Sequence, residues 1–375
     1  MIVEEIIALN ASIPESLLKL TLSKKKLAIY GVGQGYLTFK TFVLDKFDIS
    51  VDLFIDMKFD KVERVNNAIG INPKKLGELD LSDYNVVVTT AESKFKSIQN
   101  QLNVYFSERI YSAFEFYEYH LAYGDEKVVC GGYDYYVRHS NEIQNAYSKL
   151  FDHESKTVFR QILELYMTRQ IKTITHHDIE EQYLSNDVGY IDYSRTISCG
   201  AFDGDSIKNI TKYKGKLKNI ILFEPNLENF QNLSLFLNKE GGTLSESITA
   251  LPLAVGNKLA FQAMSSAGTN SNIIDSGDIA VMTVAIDDIN KSYDCSFLNM
   301  DIEGGELDAL KGAQNLIKNC RPSLAISIYH QPKDLWQICL FLGELNLGYK
   351  FFIRNYTGYP AETLLYATVS ENASD

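Results

Sequence analysis

The chain has 375 residues, a length that suits two domains of roughly 100–200 residues each. Hydrophobic residues make up 45% of it and aromatics 12%, which is enough to build cores and excludes a chain disordered throughout. The formal net charge of -12 excludes a general binder of nucleic acid or anionic membrane, because phosphate surfaces repel an acidic protein.

Residues 1–22 read as an amphipathic helix with Ile6, Ile7, Leu17 and Leu18 on its buried face. "KKLAIYGVGQG" is a strand entering a glycine turn, "TFVLDKF" suits a helix, and "VDLFID" is a second buried strand. "YNVVVTT" is a third strand and "KFKSIQNQL" a further helix. Strands alternating with helices imply a parallel sheet, so residues 1–108 are expected to form a small doubly wound, Rossmann-like domain. Residues 109–190 change character, since "IYSAFEFYEYHLAY" and "KTVFRQILELYMTRQI" carry helical spacing and aromatics crowd between Tyr111 and Tyr136. This stretch is expected to be a helical linker whose aromatics serve a core or a contact between subunits of a homo-oligomer.

From 191 to 375 the alternation resumes more completely. Strand candidates are "RTISCGA", "NIILFEP", "TALPLAV", "SFLNMDI", "SLAISIY", "YKFFIR" and "TLLYATV", with helix candidates at 205–212, 227–239, 306–318 and 334–345. Residues 258–286 have little helical period and read as a hairpin insertion. Only "NYTGYPAE" separates the last two strands, so they are expected to pair antiparallel. The expected fold class is α/β: two doubly wound domains joined by a helical segment.

The five cysteines, Cys130, Cys199, Cys295, Cys320 and Cys339, never form a Cys-x-x-Cys pair, which fits neither a zinc knuckle nor a disulfide framework. Glu4 and Glu5 stand where a signal peptide carries basic residues, and no apolar run is long enough to span a bilayer. The expected compartment is a reducing cytoplasm.

Two glycine loops compete for the chemistry, each at the carboxyl end of a first strand, where open α/β sheets bind ligands. In "YGVGQGY", Gly31 and Gly33 fit the dinucleotide fingerprint and Asp56 ends the second strand, but Tyr36 occupies the third glycine position and Gly35 sits one residue early. In "CGAFDGDS", Gly200 and Gly204 let the backbone approach a ligand, and Asp205 is placed to cap the following helix. Asp203 would repel a pyrophosphate and welcome an ammonium, and Glu224 ends the next strand where a ribose diol would lie. Acids offered to both an amino group and a ribose suit S-adenosylmethionine better than NAD.

"CGAFDGD", "LFEPN", "LPLAVGN", "FLNMDIEGGELDALKGA" and "SIYHQPKDLW" occur in order, and with them residues 191–370 resemble the FkbM family of S-adenosylmethionine-dependent methyltransferases. The resemblance implies a class I methyltransferase fold, a seven-stranded sheet with a reversed terminal strand. It implies methylation of hydroxyl groups, often on sugars or glycosylated natural products, with S-adenosylhomocysteine as the cofactor product. It places Gly200, Ala201, Asp203 and Gly204 in the first cofactor motif, and Glu224, Pro225 and Asn226 in the ribose-contacting one. Leu253 and Ala254 fall in the segment bordering the adenine. Asp301 ends the fourth strand beside the transferring methyl, with Glu303 and Glu306 following. Cys199 departs from the acid or small residue many members carry there. Residues 1–190 are similar to the small Rossmann-like domains attached to some members.

Methyl transfer to a hydroxyl needs a base. His330 is the first choice because an imidazole titrates near working pH, with Asp301 or Glu303 as the base instead or as groups orienting the acceptor. Acids at 301, 303 and 306 also suit Mg²⁺, yet "MDIEGGEL" reads as a glycine turn followed by a helix capped by Glu306, so no metal is expected. In the polar segment "SSAGTNSNI", Asn270 and Ser271 are substrate-contact candidates. Adjacent His176 and His177 would face different ways on a helix and are expected at the surface.

The function expected from these residues is O-methylation of a sugar, nucleotide-sugar or glycan precursor as in polysaccharide biosynthesis. The alternatives are an NAD-dependent nucleotide-sugar oxidoreductase using Gly31 and Gly33, and a non-catalytic carbohydrate-recognition protein.

Overall fold

The computed structural model describes residues 1–9, 25–45, 49–65, 68–90, 92–107, 109–113, 133–168, 173–264, 279–289 and 294–369. The chain divides into two compact units, Met1–Ser140 with Ile162–Thr173, and Asn141–Gln161 with Ile174–Asp375.

The first unit is built on β1 (Lys26–Tyr30), β2 (Leu53–Ile55), β3 (Glu63–Val65), β4 (Ala68–Ile71), β5 (Tyr84–Val88) and β6 (Ile110–Ser112), in the order β3-β4-β2-β1-β5-β6. All neighbours pair parallel except β3 with β4. Helices α1 (Ile2–Leu9), α2 (Gln34–Phe39), α3 (Glu92–Phe106) and α4 (Tyr133–Arg138) accompany it. The short central strands are apolar because both faces of a parallel sheet are covered. Ala28, Leu53, Ile55, Val86 and Val88 pack with Phe95, Ile98, Leu102 and Phe106 of α3.

Two sequence readings differ here. Ile110–Ser112, expected as helix, extends the sheet beside β5. The Glu63–Val65 and Ala68–Ile71 hairpin was not anticipated, because Gly70 and two charges hide its alternation. A Cβ on Gly70 would run into the Phe59 ring, so the sheet demands glycine there. Residues 10–22 of the expected first helix, and residues 114–132 of the aromatic run, lie outside the described residues.

Helices α5 (Ser140–Lys149) and α6 (His153–Thr168) precede the second sheet. Its strands are β7 (Arg195–Cys199), β8 (Leu217–Phe223), β9 (Ser245–Leu251), β13 (Phe297–Met300), β14 (Ser323–Ser327), β15 (Lys350–Asn355) and β16 (Thr363–Thr368). Their order is β15-β16-β14-β13-β7-β8-β9, with β16 antiparallel to both its neighbours and the remaining pairs parallel. The expected seven-stranded sheet with one reversed strand is therefore present.

The insertion forms a separate sheet, β10 (Ala254–Val255), β12 (Ile279–Val284) and β11 (Ala260–Met264), with β11 and β12 antiparallel as expected of a hairpin. Helices α7 (Asp205–Lys214), α8 (Leu227–Leu244), α9 (Ile286–Ile289), α10 (Glu306–Lys311), α11 (Gln314–Cys320) and α12 (Asp334–Glu344) complete the unit. The single helix expected over 306–318 breaks at Gly312, where any side chain would overlap the backbone of Gly256. Among the described residues, no helix is long and apolar enough to cross a membrane.

Strand order leaves one switch point in the second sheet, between β7 and β13: the chain winds from β7 towards β9 on one side and from β13 towards β16 on the other. Loops leaving the two strands part there and open a crevice.

Candidate active site

The bend after β7 occupies that crevice. Gly200 and Gly204 both adopt left-handed backbone, at φ +80° and +93°. The sequence suggested they make room for a ligand, but packing demands them first. A Cβ on Gly200 would overlap the Asp301 carbonyl oxygen, and one on Gly204 would lie 2.6 Å from the Phe236 ring. Glycine here lets β7 and β13 deliver their carboxyl ends side by side. Ala201 is buried, while Phe202 and Asp203 are exposed at the tip. Cys199 is fully buried, and burial pushes its thiol well above the ordinary range, so it is packing rather than nucleophile.

Glu224 ends β8 almost wholly buried. Its Oε2 accepts the Phe202 amide (2.9 Å), and its Oε1 accepts the Asn226 amide (2.9 Å) and the Asn229 side-chain amide (3.5 Å). Burial raises its pKa against the pull of these donors. A carboxylate has about four acceptor positions, so one on Oε2 remains for a hydroxyl donor. Asn226 caps α8 through Glu228 N–H and Asn229 N–H, with half-buried Pro225 before it. Leu253 is half-buried and Ala254 opens β10, paired with Thr283.

Across the crevice, β13 delivers Asp301 and β14 delivers His330. The loop between β13 and α10 carries Glu303 at φ +61° and Gly304 at +103°. A glutamate there bears backbone strain of about 1–2 kcal/mol. The structure brings Asp301, Glu303, Glu306 and His330 into one cluster. His330 Nδ1 lies 2.9 Å from Glu306 Oε1, and Nε2 lies 3.3 Å from Asp301 Oδ1 and 3.4 Å from Glu303 Oε2. The side chains of Asp301 and Glu303 keep 27% and 29% exposure, whereas His330 keeps 9% and Glu306 none.

Desolvation would lower the His330 pKa, but Glu306, Asp301 and Glu303 together raise it to about 10, so the ring is an imidazolium at neutral pH. Burial raises Asp301 and Glu303 above their usual range, against the pull of His330. Glu306 stays below its own, because His330 and the Ile302 amide outweigh burial.

Glu306 was expected to cap its helix. Instead its Oε1 accepts the amides of Ile302 (3.0 Å) and Gly304 (3.3 Å), bracing the loop. Sequence reasoning also missed four neighbours. Tyr329 directs its hydroxyl at both Asp301 oxygens (3.3 Å each) and packs its ring 4.1 Å from that of His330. Gln331 donates to Gly304 O at 2.6 Å. Asp334 is buried behind the cluster, where desolvation and Glu306 raise its pKa well above normal. Glu362, on the β15–β16 hairpin, accepts from Gln182 at 2.7 Å and feels the charge of Asp301. "YHQPKD" held a signal for three of these, since it packs titratable and amide side chains into six positions after a buried strand. Glu362 carried none. Asn270 and Ser271 lie outside the described residues.

Residues 198–351 match the model of the methyltransferase FkbM domain. The chain carries an FkbM methyltransferase domain. It is accordingly an S-adenosylmethionine-dependent methyltransferase. The crystal structure of methyltransferase FkbM from Methylobacillus flagellatus KT is similar over 97% of this chain and 98% of that one, with a TM-score of 0.74 and 21% identity, which shows a shared fold. A methyltransferase structure from Aquifex aeolicus, described as dependent on S-adenosylmethionine, covers 51% of this chain and 89% of its own at a TM-score of 0.31 and 16% identity. No curated protein sequence matches the chain. In this FkbM domain the sheet order, the reversed β16 and the crevice at β7 and β13 all belong to the methyltransferase framework the five motifs implied.

The residues fit the cofactor. Glu224 keeps an acceptor position beside the glycine bend, and the carboxylate of Asp203 is exposed there. Gly200, Ala201, Asp203, Gly204, Glu224, Pro225, Asn226, Leu253 and Ala254 all lie on the bend after β7, at the end of β8 or at the start of β10.

Proposed function

We propose that the protein methylates a hydroxyl group of a sugar, nucleotide-sugar or glycan precursor. The observation that carries this reading is the pair of carboxylates, Asp301 and Glu303, standing partly exposed above a buried imidazolium. When bound, S-adenosylmethionine supplies a methyl group activated on a positively charged sulfur.

The protein's own residues do the rest. Glu224 accepts from a ribose hydroxyl and Asp203 faces the amino group. One of Asp301 and Glu303 accepts the hydrogen bond of the acceptor hydroxyl and takes its single proton as the oxygen becomes bonded to carbon, while the other orients the acceptor. His330 was the first choice of base on sequence position, but a ring protonated among three carboxylates has no lone pair to offer. Its positive charge instead opposes the protonation that burial favours at Asp301 and Glu303. Glu362, Gln182 and Tyr329 add acceptors and donors that suit a polyol, which presents several hydroxyls at once.

The test is methyl transfer from labelled S-adenosylmethionine to a panel of sugars, nucleotide-sugars and glycan precursors, read by intact mass. Gain of the labelled methyl's mass on a hydroxyl of one class supports the proposal, and methylation confined to amines or carboxylates refutes it.

A further inference from the structure

Glu306 is the one acid of the cluster with no exposed surface, so it touches neither acceptor nor cofactor. It nevertheless holds three groups at once: the Ile302 and Gly304 amides of the loop that carries Glu303, and Nδ1 of His330. The loop and the ring come from different strands, and Glu306 is their shared partner. The ring's other nitrogen, Nε2, is buried and makes no aligned hydrogen bond, standing between Asp301 at 3.3 Å and Glu303 at 3.4 Å.

We propose that Glu306 is a positioning residue: it pins the 301–305 loop and fixes the His330 ring so that Nε2–H faces the two carboxylates above it. The proposal rests on the cluster being the methyl-transfer site only for its catalytic consequence, since the positioning stands on geometry alone. One positive ring then serves three carboxylates, and removing Glu306 frees both its orientation and its charge.

The groups facing the ring are Asp301, Glu303 and Glu306, with the Tyr329 ring packed on it. Asp334 stands behind Glu306, with Lys333 near Asp334, and Glu362 acts on Asp301 from the β15–β16 hairpin. Burial and the charge of Glu306 raise the Asp334 pKa well above its usual value. A neutral amide in place of Glu306 keeps the shape but loses the strongest reason for the ring to stay charged.

The experiment is nitrogen-15 NMR of the histidine side chains in the full-length protein. Only six histidines are present, and His330→Gln assigns the signal by its loss. In the wild type at pH 8, both ring nitrogens of His330 are expected protonated. In Glu306→Gln the ring is expected neutral at that pH, with kcat about 100-fold lower and KM for the acceptor within twofold. Glu306→Asp, which keeps the charge on a shorter arm, is expected to restore the protonated signal and part of kcat. The proposal fails if wild-type His330 is neutral at pH 8, a result that needs no variant to fold. It fails equally if Glu306→Gln leaves the His330 signal and kcat unchanged. A missing activity on every acceptor tried would count against the hydroxyl reading and leave the NMR result to decide this one.

Discussion

Glu224 Oε2 accepts the amide proton of Phe202 across 2.9 Å, so the acid that ends β8 also closes the glycine bend that follows β7. The first unit repeats the device. Asp56 accepts the Val32 amide at 2.6 Å and the Lys58 amide at 3.0 Å, tying its own second strand to its own glycine loop. An acid at the end of a second strand is thus a structural tie in both units, and only in the second does it fall within the matched FkbM domain.

Replacing Glu224 with alanine should therefore weaken binding of S-adenosylhomocysteine. A hydrogen bond to a charged group contributes about 1.5–3 kcal/mol, or roughly 10- to 100-fold in affinity. Calorimetry reads it directly. Gly33→Val, in the other loop, should leave that affinity unchanged, because nothing lies within 4 Å of a Cβ at Gly33. Equal losses from both variants would mean the cofactor is not held where the motif places it.

Gly200→Ala is expected to cost stability before it costs binding. The residue sits at φ +80°, where a side chain is strained by about 1–2 kcal/mol, and its Cβ would overlap the Asp301 carbonyl oxygen. Overpacking adds about 1–3 kcal/mol. Thermal unfolding followed by circular dichroism should show a midpoint several degrees lower for Gly200→Ala, and an unchanged one for Gly33→Ala.

These glycines show what the sequence made legible and what it did not. Gly200, Gly204, Glu224 and Asp301 stood out because glycine and acids at strand ends are rare and positionally meaningful. Their reasons were hidden, since whether a glycine faces a ligand or a neighbouring strand depends on which strand becomes the neighbour. Most strands of the seven-stranded sheet are apolar runs and could be read directly, whereas β9 begins in the polar residues 245–247, ahead of the expected "TALPLAV", whose end belongs to β10 in another sheet. β3 and β6 span three residues each, too short for any period to register. Tyr329 and Glu306 looked like a strand end and a helix start, and their roles exist only where β13 and β14 lie side by side.

Asp301→Asn and Glu303→Gln should each lower kcat by about 10²–10⁴, the usual contribution of a positioned proton acceptor. Affinity for S-adenosylhomocysteine should stay within about twofold. The double variant should fall little further than the worse single one, because groups acting on one proton are not additive. Steady-state kinetics on an identified acceptor, alongside calorimetry, tests both halves. A loss shared equally between kcat and cofactor affinity would move these acids from the acceptor to the cofactor.

Arg354 is buried in the edge strand β15, yet it is held by Asp152 (2.6 Å) and Asp187 (2.7 Å), with Ser155 at 3.1 Å. Ser155 also accepts the Ile353 amide at 2.8 Å, so the start of α6 takes up a backbone donor that an edge strand would leave unpaired. Burial would raise Asp152, but its bonds to Arg354 and Ser155 prevail and hold it below the usual carboxylate range. A carboxylate whose folded pKa is depressed binds its proton more readily when unfolded, at about 3.9 for Asp. Its contribution is therefore complete above about pH 4 and drains away as pH falls through the folded value. Asp152→Asn should remove about 1–2 kcal/mol at pH 7, a figure reduced from that of a fully buried pair because Asp152 is partly solvated. It should also flatten the acid limb of the stability curve, so that the variant and wild type converge near pH 2. Denaturant unfolding at pH 7, 4 and 2 measures both, and a constant gap between the two proteins across that range would show that Asp152 acts through packing rather than charge.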